Sequence, residues 1–380
     1  MIEITDKRKC TGCGACASKC TNYAISLVED EEGSKYPIVN KEKCVNCGLC
    51  NQVCPMLDER HGVPLQNYDY KVHCFAAQLF EKTLLSDVSS GGAFWALTCT
   101  ILDKEGVVYG AVQENVDYIF HTRAENLADA EKIKRSKYLQ SEVGNIYAQV
   151  KEDLCANRKV LFSGTPCQVA ALNCFLKKDY PKLYTCEVVC HGIPSMLAWR
   201  KYREETEQKI KKRFTSLIFR DKSKGWSFNQ YKTSYSDKSY NIEPSTKHLF
   251  HSGYLLGLFY RPSCGSCPFA SLPRVADITL ADYWKYKGRF IEKYGDKGIS
   301  LVVANNDKGF ELITESEKYL EFEKTEEQTA IKSCRHLCHH PQESRFRKKF
   351  FELLLSDGYY TAFKKYNLKA KIEYAIKKLF

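Results

Sequence analysis

Eight cysteines within the first 55 residues constrain this chain more than any other feature. The spacing Cys-x2-Cys-x2-Cys-x3-Cys occurs twice, at Cys10, Cys13, Cys16 and Cys20 and again at Cys44, Cys47, Cys50 and Cys54. An iron–sulfur cube needs four thiolates, and in this pattern the compact triplet binds one cube while the fourth cysteine ligates the other. The sequence therefore predicts two [4Fe-4S] clusters, one on Cys10, Cys13, Cys16 and Cys54 and one on Cys44, Cys47, Cys50 and Cys20.

Two other uses of these cysteines fit the spacing less well. Structural zinc sites generally use two pairs of ligands with a longer gap between them. Disulfides between neighbours three residues apart would close strained loops. The first motif has Thr21 where the pattern usually has proline, as it does at Pro55, and this departure leaves the number of ligands unchanged.

Length and composition indicate a soluble protein of two or three domains. The chain has 380 residues, of which 44% are hydrophobic and 27% charged, which is ordinary for globular proteins. The first residues contain no apolar signal stretch, and no run is long enough to span a bilayer. Nineteen cysteines in such a chain favour metal or redox chemistry over crosslinks. We therefore expect a cytoplasmic, oxygen-sensitive protein.

The net charge of +11 lies almost entirely outside the cysteine-rich segment. Residues 1–60 carry eight basic and nine acidic side chains. A basic body can bind anionic cofactors, acidic carrier proteins or membrane surfaces. We expect no nucleic acid, because zinc-finger spacing, an RNA-binding signature and an aromatic–basic strip are all missing from the sequence.

Turn and linker signals divide the chain. Two short strands around the turn at Gly33 predict a hairpin between the cysteine motifs, and residues 55–68 resemble a linker. We predict a bacterial-type two-cluster ferredoxin module over residues 1–60. A body over 68–150 and 151–305 and a helical basic region over 306–380 would follow, giving a fold of the α+β or α/β class.

The body alternates buried strands and helices, which is typical of an α/β layer. Strands are predicted at 72–79, 107–113, 118–123, 159–163 and 183–189, and helices at 169–176 and 195–212. Ligands of such layers lie beyond the carboxyl ends of the strands, where Cys167 and Cys190 follow two of them. A Gly-x-Gly-x-x-Gly fingerprint is missing, so a Rossmann dinucleotide site is not predicted.

Two segments have the composition of anion-binding loops, although neither is specific alone. Ser89-Ser-Gly-Gly92 precedes an apolar helix, where bare backbone N–H groups can approach an anion. Lys134–Ser141 is basic and rich in hydroxyl groups.

Further cysteines leave several alternatives open. Cys264 and Cys267, after a helix predicted over 248–260, form a lone Cys-x2-Cys that suits half a zinc site, a redox dithiol or two cluster ligands. Cys334 and Cys338 lie four apart on a predicted helix beside three histidines, where we favour incidental burial over a metal site. The remaining cysteines are predicted to be core residues, at Cys74, Cys99, Cys155, Cys174 and Cys186.

The C-terminal region is basic and amphipathic. From residue 343 onward ten basic residues outnumber four acidic ones. An apolar stripe at helical spacing consists of Leu368, Ile372, Ala375, Ile376 and Leu379. This tail could touch a membrane peripherally or a partner, although we favour a helix that caps its own domain.

Taken as a series, six motifs resemble the coenzyme F-420 hydrogenase/dehydrogenase beta-subunit family over about residues 1–305. They are Ser-Ser-Gly-Gly, Lys-Tyr-Leu-Gln-Ser, Ser-Gly-Thr-Pro-Cys-Gln, Cys-His-Gly, Arg-Pro-x-Cys-x2-Cys and Ala-Asp-Ile. The resemblance implies FAD and at least one further [4Fe-4S] cluster in a mixed α/β flavin-binding body. Residues 68–150 and 151–305 would be its N-terminal and C-terminal parts.

The resemblance also implies site residues. The flavin or its diphosphate would lie against Ser89, Ser90, Gly91, Gly92, Lys137, Tyr138, Gln140, Ser141, Gly164, Thr165 and Pro166. The body cluster would be held by Cys167, Cys190, Cys264 and Cys267, with Cys186 as the substitute if Cys167 is not a ligand.

These parts predict an oxidoreductase that converts between one-electron and two-electron carriers. Clusters pass single electrons, whereas a flavin accepts a hydride and releases electrons singly. The expected partners are ferredoxin or another redox protein and a small acceptor or donor such as reduced coenzyme F-420. No catalytic residue can be assigned, although Tyr138 and His191 are candidate proton donors. A non-catalytic relay, or an accessory subunit in surface-polysaccharide synthesis, is the alternative.

Overall fold

The computed structural model describes residues 1–377, in which thirteen strands form three sheets. The strands are β1 (Ile25–Glu29), β2 (Lys35–Val39), β3 (His73–Leu79), β4 (Val107–Gln113), β5 (Ile119–Ala124), β6 (Val160–Gly164), β7 (Leu183–Val188), β8 (Phe214–Asp221), β9 (Gln230–Tyr235), β10 (Tyr240–Pro244), β11 (Ile278–Asp282), β12 (Ser300–Ala304) and β13 (Leu320–Thr325).

The described helices are distributed along the whole chain. They are α1 (Ala15–Lys19), α2 (Leu49–Gln52), α3 (Ala93–Leu102), α4 (Leu127–Ile133), α5 (Ile146–Cys155), α6 (Pro166–Leu176), α7 (Met196–Ile210), α8 (Leu249–Leu255), α9 (Arg289–Tyr294), α10 (Asp307–Glu315), α11 (Glu327–Ser333), α12 (Arg347–Asp357) and α13 (Tyr359–Lys377). Within residues 1–377, none of them combines the length and the apolar character needed to cross a membrane.

The N-terminal module is a hairpin flanked by two cysteine loops. β1 and β2 pair antiparallel, with Ile25 opposite Val39, as the sequence predicts. The hairpin turn contains Gly33 at a φ of +78°, where an added Cβ would lie 2.2 Å from the backbone nitrogen of Leu197. Because only glycine permits this approach, the turn packs directly against the start of α7 in the body.

An eight-stranded mixed sheet forms the centre of the body, in the order β13-β3-β12-β11-β7-β6-β4-β5. Four consecutive strands, β11, β7, β6 and β4, are parallel to one another, and the remaining pairs are antiparallel. The parallel strands therefore point their carboxyl ends toward the same edge of the sheet. The predicted mixed α/β fold is confirmed.

Helices cover both faces of this sheet. Alternate residues of a strand face opposite sides: Leu161 of β6 packs in the cluster that contains α3 and α10, whereas Phe162 packs in the cluster that contains α5 and α6. Leu161 and Phe162 are both fully buried, as expected for a strand that is covered on both faces.

A second layer lies beyond the carboxyl edge. It consists of the antiparallel sheet β10-β9-β8 together with α7, α8, α12 and α13, joined by an aromatic core. The many Tyr, Ser, Lys and Asp residues of segment 214–243 predict a hairpin at the surface. The structure instead buries Phe214, Phe219 and Tyr231 of this segment in that core.

Several predicted elements differ from the structure. The helix predicted over 248–260 ends at Leu255, because Gly257 takes a φ of +70° against the backbone of Gln342. The region after residue 306, predicted to be helical, also contains β13, which forms the sheet edge by pairing with β3. Cys155 is exposed and Cys174 only half-buried, so neither belongs to the core as predicted.

The apolar stripe predicted on the tail lies on the outer side of α13. Leu368, Ile372 and Ile376 are 67%, 54% and 50% exposed, whereas the opposite side of the helix is buried against the body. The helix therefore caps its own domain with a different face from the predicted stripe. The last residue of that stripe, Leu379, lies outside the described residues.

Candidate functional site

The first cysteine set surrounds one small cavity in the N-terminal module. Cys10, Cys13, Cys16 and Cys54 all line this cavity. Their thiols are close enough to interact electrostatically, since burial and then Cys10 and Cys54 raise the pKa of Cys16 to about 12. Left-handed Gly14 (φ +79°) precedes α1 and lets the chain turn between the second and third cysteines.

The second cysteine set lies closer to the surface. Cys50 is buried, Cys20 and Cys44 are half-buried, and Cys47 is exposed. Gly48 (φ +76°) precedes α2 in the position that Gly14 has before α1. The backbone N–H of Ile2 donates to Cys50 Sγ at 3.2 Å, and that of Ala24 donates to Cys20 Sγ at 3.3 Å. Such N–H···S bonds are among the features that set cluster potentials.

Four cysteines of the body meet in the same way. Cys167 lies at the start of α6, Cys190 follows β7, and Cys264 and Cys267 lie in and after a short 3₁₀ helix, Pro262–Ser266. All four line a second small cavity. Burial and then Cys264, Cys167 and Cys267 raise the pKa of Cys190. The substitute candidate, Cys186, is instead fully buried in the sheet core.

These sets do not resemble a site for one ion. In the part of the chain from residue 1 to 377, no three Cys, His, Asp or Glu side chains converge on a point suited to a single metal ion. Each of the two sets that line small cavities instead encloses a space between its sulfur atoms.

A third and much larger cavity, of about 480 Å³, lies beyond the carboxyl ends of β6, β7 and β11. Nine of the eleven residues predicted for a flavin line it: Ser89, Ser90, Gly92, Lys137, Tyr138, Gln140, Ser141, Gly164 and Thr165. Gly91 is instead turned toward β12, where its N–H donates to Ser300 Oγ at 2.9 Å. Pro166 lines the body cysteine cavity rather than the large one.

The three cavities share walls. Thr11 lines all three of them, and Cys13 lines both the large cavity and the module's cysteine cavity. Cys167 and Cys190 line both the large cavity and the body's cysteine cavity. The two buried cysteine sets and the large cavity are therefore in direct contact with one another.

One part of the large cavity suits an anion. Lys137 Nζ donates only to the backbone carbonyls of Ile133 and Lys134 and forms no ion pair with any carboxylate of the described residues. Burial and then Arg135 lower the pKa of Lys137 to about 7. The hydroxyls of Ser89 and Ser136 are paired nearby at 2.9 Å. A half-buried lysine without a carboxylate partner, next to hydroxyl donors, is a suitable phosphate contact, because a bound phosphate would favour its charged form.

Another part of the cavity is aromatic and ion-paired. Arg220 donates to both oxygens of Asp282, at 2.8 and 3.1 Å, and lies 4.8 Å above the ring of Trp284. Trp226 stacks on Trp284 with ring centroids 4.3 Å apart and donates to Asp282. This network holds two flat surfaces in fixed positions beside the cavity.

His191 presents an unsatisfied nitrogen at the same cavity. Its Nε2 is buried without a hydrogen-bond partner in the described structure. Burial, followed by His336 and His251, lowers the pKa of His191 to about 3. The ring is therefore neutral at pH 7, with one nitrogen free to meet a ligand.

Several cavity residues were not predicted from the sequence. Asp282 is the last residue of β11 and Trp284 follows two residues later, so the carboxyl-end rule that selected Cys190 would have found them as well. Arg261 lines none of the three cavities but contacts Cys10, and although it stands in the motif Arg-Pro-x-Cys, only the cysteines of that motif were assigned. Thr11, Trp95 and Arg220 carry no signal in the sequence, because distant contacts alone bring them to the cavity walls.

Cys334 and Cys338 are not four apart on one helix. Cys334 ends α11, and Cys338 ends the 3₁₀ turn Arg335–Leu337, which breaks the predicted helix between them. Cys334 and His336 line the large cavity, and the ring of His336 lies 4.3 Å from that of His191.

Comparisons with known proteins give a separate family match for each cysteine-rich part. Residues 9–56 match the family described as 4Fe-4S dicluster domain, and residues 157–328 match the family that describes the C terminus of the coenzyme F420 hydrogenase/dehydrogenase beta subunit. A chain in a structure of the F420-reducing [NiFe] hydrogenase complex from Methanosarcina barkeri is 17% identical, with a TM-score of 0.48, over 76% of this chain and 94% of that chain. No curated protein matches significantly.

Proposed function

Because the chain belongs to the coenzyme F420 hydrogenase/dehydrogenase beta-subunit family and carries a 4Fe-4S dicluster domain, we propose that it transfers electrons between a one-electron carrier and a two-electron substrate through FAD. The carrier would be ferredoxin or a similar redox protein. The substrate would be a small molecule such as reduced coenzyme F420. The observation that carries this proposal is the sharing of walls between the cysteine cavities and the large cavity.

The proposed cluster ligands are three sets of four cysteines. The first set is Cys10, Cys13, Cys16 and Cys54, the second is Cys20, Cys44, Cys47 and Cys50, and the third is Cys167, Cys190, Cys264 and Cys267. The electrostatic contact of thiols within the first and third sets supports this assignment. Thiols raise one another's pKa only when they lie close together. Cluster iron would bind the deprotonated thiolates and so replace the protons that these thiols hold.

The large cavity fits a flavin by three observations. Its volume falls within the range of roughly 300–1,000 Å³ that is usual for ligand sites. Lys137 is a half-buried lysine without a carboxylate partner in the described residues, which suits the diphosphate. His191 Nε2 is a buried polar atom without a partner, which suits a ring heteroatom or a bound substrate. A bound flavin would supply the exchange between hydride and single electrons.

The chain's own residues would position and isolate this chemistry. Lys137, Ser89 and Ser136 would hold the phosphates, and Arg220 with Asp282 would fix the aromatic wall beside the cavity. His191, neutral at pH 7, would donate or accept a hydrogen bond at Nε2, depending on its tautomer. Tyr138, whose hydroxyl lies 3.5 Å from Arg220, is the second candidate proton donor.

Anaerobic purification followed by iron, sulfide and flavin quantification tests the proposal. Three cubes and one flavin predict about twelve irons and one FAD per chain. Eight irons would remove the body cluster. Twelve irons without flavin would favour the alternative of a non-catalytic relay, as would failure of the reduced protein to reduce any small acceptor without a partner.

The variant Lys137→Gln sharpens this test. It should weaken flavin binding by roughly tenfold or more, since a hydrogen bond to a charged group contributes about 1.5–3 kcal/mol, while the iron content stays unchanged. Lys132→Gln is the matched control, because that exposed lysine lies on α4 and, among residues 1–377, pairs only with Asp129. Equal flavin affinity in both variants would place the diphosphate elsewhere.

A further inference from the structure

The outward face of α13 combines exposed apolar side chains with unpaired positive charge. Leu368, Ile372 and Ile376 follow one another at intervals of four residues and are each at least half exposed. At 100° per residue these positions, together with Ala375, occupy one side of the helix. The inner side of α13 packs in the aromatic core through residues such as Tyr359, Phe363 and Tyr366, so the stripe is not needed to hold the helix in place.

Lysines flank the stripe on both sides. Helical geometry places Lys364 and Lys371 along one border and Lys365 and Lys369 along the other, and all four are exposed. They form no ion pair with a carboxylate of residues 1–377, whereas Lys377 pairs with Glu373. Glu373 is the sole acidic residue of α13, and it is buried with bonds to Ser344 and to the N–H of Arg345. The outward face therefore carries positive charge only.

We propose that this face docks the protein on an anionic lipid surface, with α13 lying in the plane of the membrane interface. Leu368, Ile372 and Ile376 would enter the boundary between headgroups and acyl chains. The lysine stems would lie along the same apolar surface and place their ammonium groups among the phosphates. Basic residues next to a membrane are attracted to anionic lipids, and this attraction weakens as salt increases.

The charge pattern argues against a second copy as the occupant. A twofold contact would bring the same patch of both chains together, so the lysine borders of one α13 would face those of the other. Like charges at that distance oppose association. An anionic bilayer instead offers an apolar acyl-chain region to the stripe and negatively charged headgroups to the lysines on both sides of it. This proposal is independent of the electron-transfer function.

Vesicle flotation of the anaerobically purified holoprotein tests the proposal. We expect binding to vesicles of phosphatidylglycerol and phosphatidylcholine in equal parts to exceed binding to pure phosphatidylcholine vesicles by roughly tenfold or more, and to fall at high salt. The combined variant Leu368→Ser, Ile372→Ser and Ile376→Ser should lose this binding while it keeps the wild-type iron content, because these side chains are exposed.

The matched control replaces exposed apolar residues elsewhere. Leu65→Ser with Leu127→Ser changes side chains that are 71% and 53% exposed but lie on other elements, and it should bind vesicles like the wild type. The proposal is overturned if the wild type ignores anionic vesicles or if the triple variant binds them equally well. It is also overturned if the stripe instead supports a dimer, or a complex with an acidic protein, in the absence of lipid.

Discussion

Arg261 occupies the space between two of the proposed clusters. Only 1% of its surface is exposed. Its guanidinium donates to the backbone carbonyls of Cys10 and Lys35, at 2.8 Å each, and approaches Cys10 Sγ at 3.7 Å. On the body side, burial raises the pKa of Cys264 to about 11, and the charge of Arg261 opposes that rise. A single cation therefore acts on thiols of both cysteine sets.

Replacing Arg261 should change a redox potential. Each electron added to a cluster makes it more negative, so a nearby guanidinium and its hydrogen bonds favour the reduced state. Arg261→Gln should shift the midpoint potential of the cluster proposed on Cys10 by about 60 mV or more in the negative direction, given about 1.5–3 kcal/mol for a charged hydrogen bond. Potentiometric titration followed by electron paramagnetic resonance measures this shift.

Arg347 supplies the control for Arg261. It is also a buried arginine that joins the module to the body, through Glu32 and the carbonyl of Tyr260. Its charge acts on Cys264 as that of Arg261 does, but in the described structure it has no hydrogen bond to Cys10, so it is a control for the cluster proposed on Cys10. Arg347→Gln should leave the potential unchanged, and Arg261→Lys should give a smaller shift than Arg261→Gln. An equal shift in the two glutamine variants would indicate loosened docking instead of direct tuning of the cluster.

At the scale of elements, the sequence predicted what depends on local pattern. The hairpin β1-β2, the pair β4-β5 and the run β6-α6-β7 follow from apolar periodicity and turn residues, and the structure confirms them. The cysteine spacing suffices to propose the ligands of the module, because those ligands are local in the chain. Arg261 and Thr11 could not be found this way, since their roles depend on contacts across hundreds of residues.

Tertiary contacts also explain the elements that were predicted wrongly. β13 is a half-buried strand that pairs with β3. Its alternation Leu320-Glu-Phe-Glu323 is compatible with a strand, but the partner strand is about 240 residues away in the chain, so the pairing is not a local property. On α13, hydrophobicity alone favours the Leu and Ile stripe as the buried face. The structure instead buries the aromatic face, with Tyr359, Phe363 and Tyr366.

A buried ion pair joins β7 to the loop before β11. Arg274 and Glu187 are 1% and 0% exposed and bonded to each other. Arg274 also donates to the carbonyls of Phe269 and Leu337, at 2.9 Å each. Arg274→Met should therefore lower the free energy of unfolding by about 3–5 kcal/mol, because it leaves the Glu187 carboxyl buried without its partner.

Anaerobic denaturation with urea measures that loss, and a double variant identifies its cause. Arg274→Met combined with Glu187→Leu removes both charges, so it should be more stable than Arg274→Met alone. If the double variant were the less stable of the two, the loss would come from the carbonyl contacts of Arg274 and not from the unpaired carboxyl.

At the scale of the whole molecule, charge and exposure together indicate where the proposed exchange of electrons with a redox protein would take place. Cys47 is the exposed cysteine of the second set, whereas the first and body sets line interior cavities. Lys19 directly precedes Cys20, and burial, followed by Lys151 and Lys177, lowers the pKa of Lys19. These three lysines form no ion pair with carboxylates in the described residues, and Lys177 Nζ donates to Gln52 beside the second set.

This arrangement leads to a prediction about the rate of electron transfer. An acidic ferredoxin would be steered toward the lysines next to the exposed set, and such steering weakens as salt screens the charges. Lys151→Glu with Lys177→Glu should lower the second-order rate constant at low ionic strength by about tenfold or more, without changing the cluster potentials.

Lys324→Glu with Lys238→Glu is matched in net charge but lies on β13 and in the β9-β10 turn, so it should reduce the rate far less. Stopped-flow reduction by an acidic ferredoxin at several salt concentrations distinguishes the two variants. Equal rate constants in the two variants would show that the net charge of the protein, and not the position of the lysines, determines the rate. That result would place the site of exchange away from the second set.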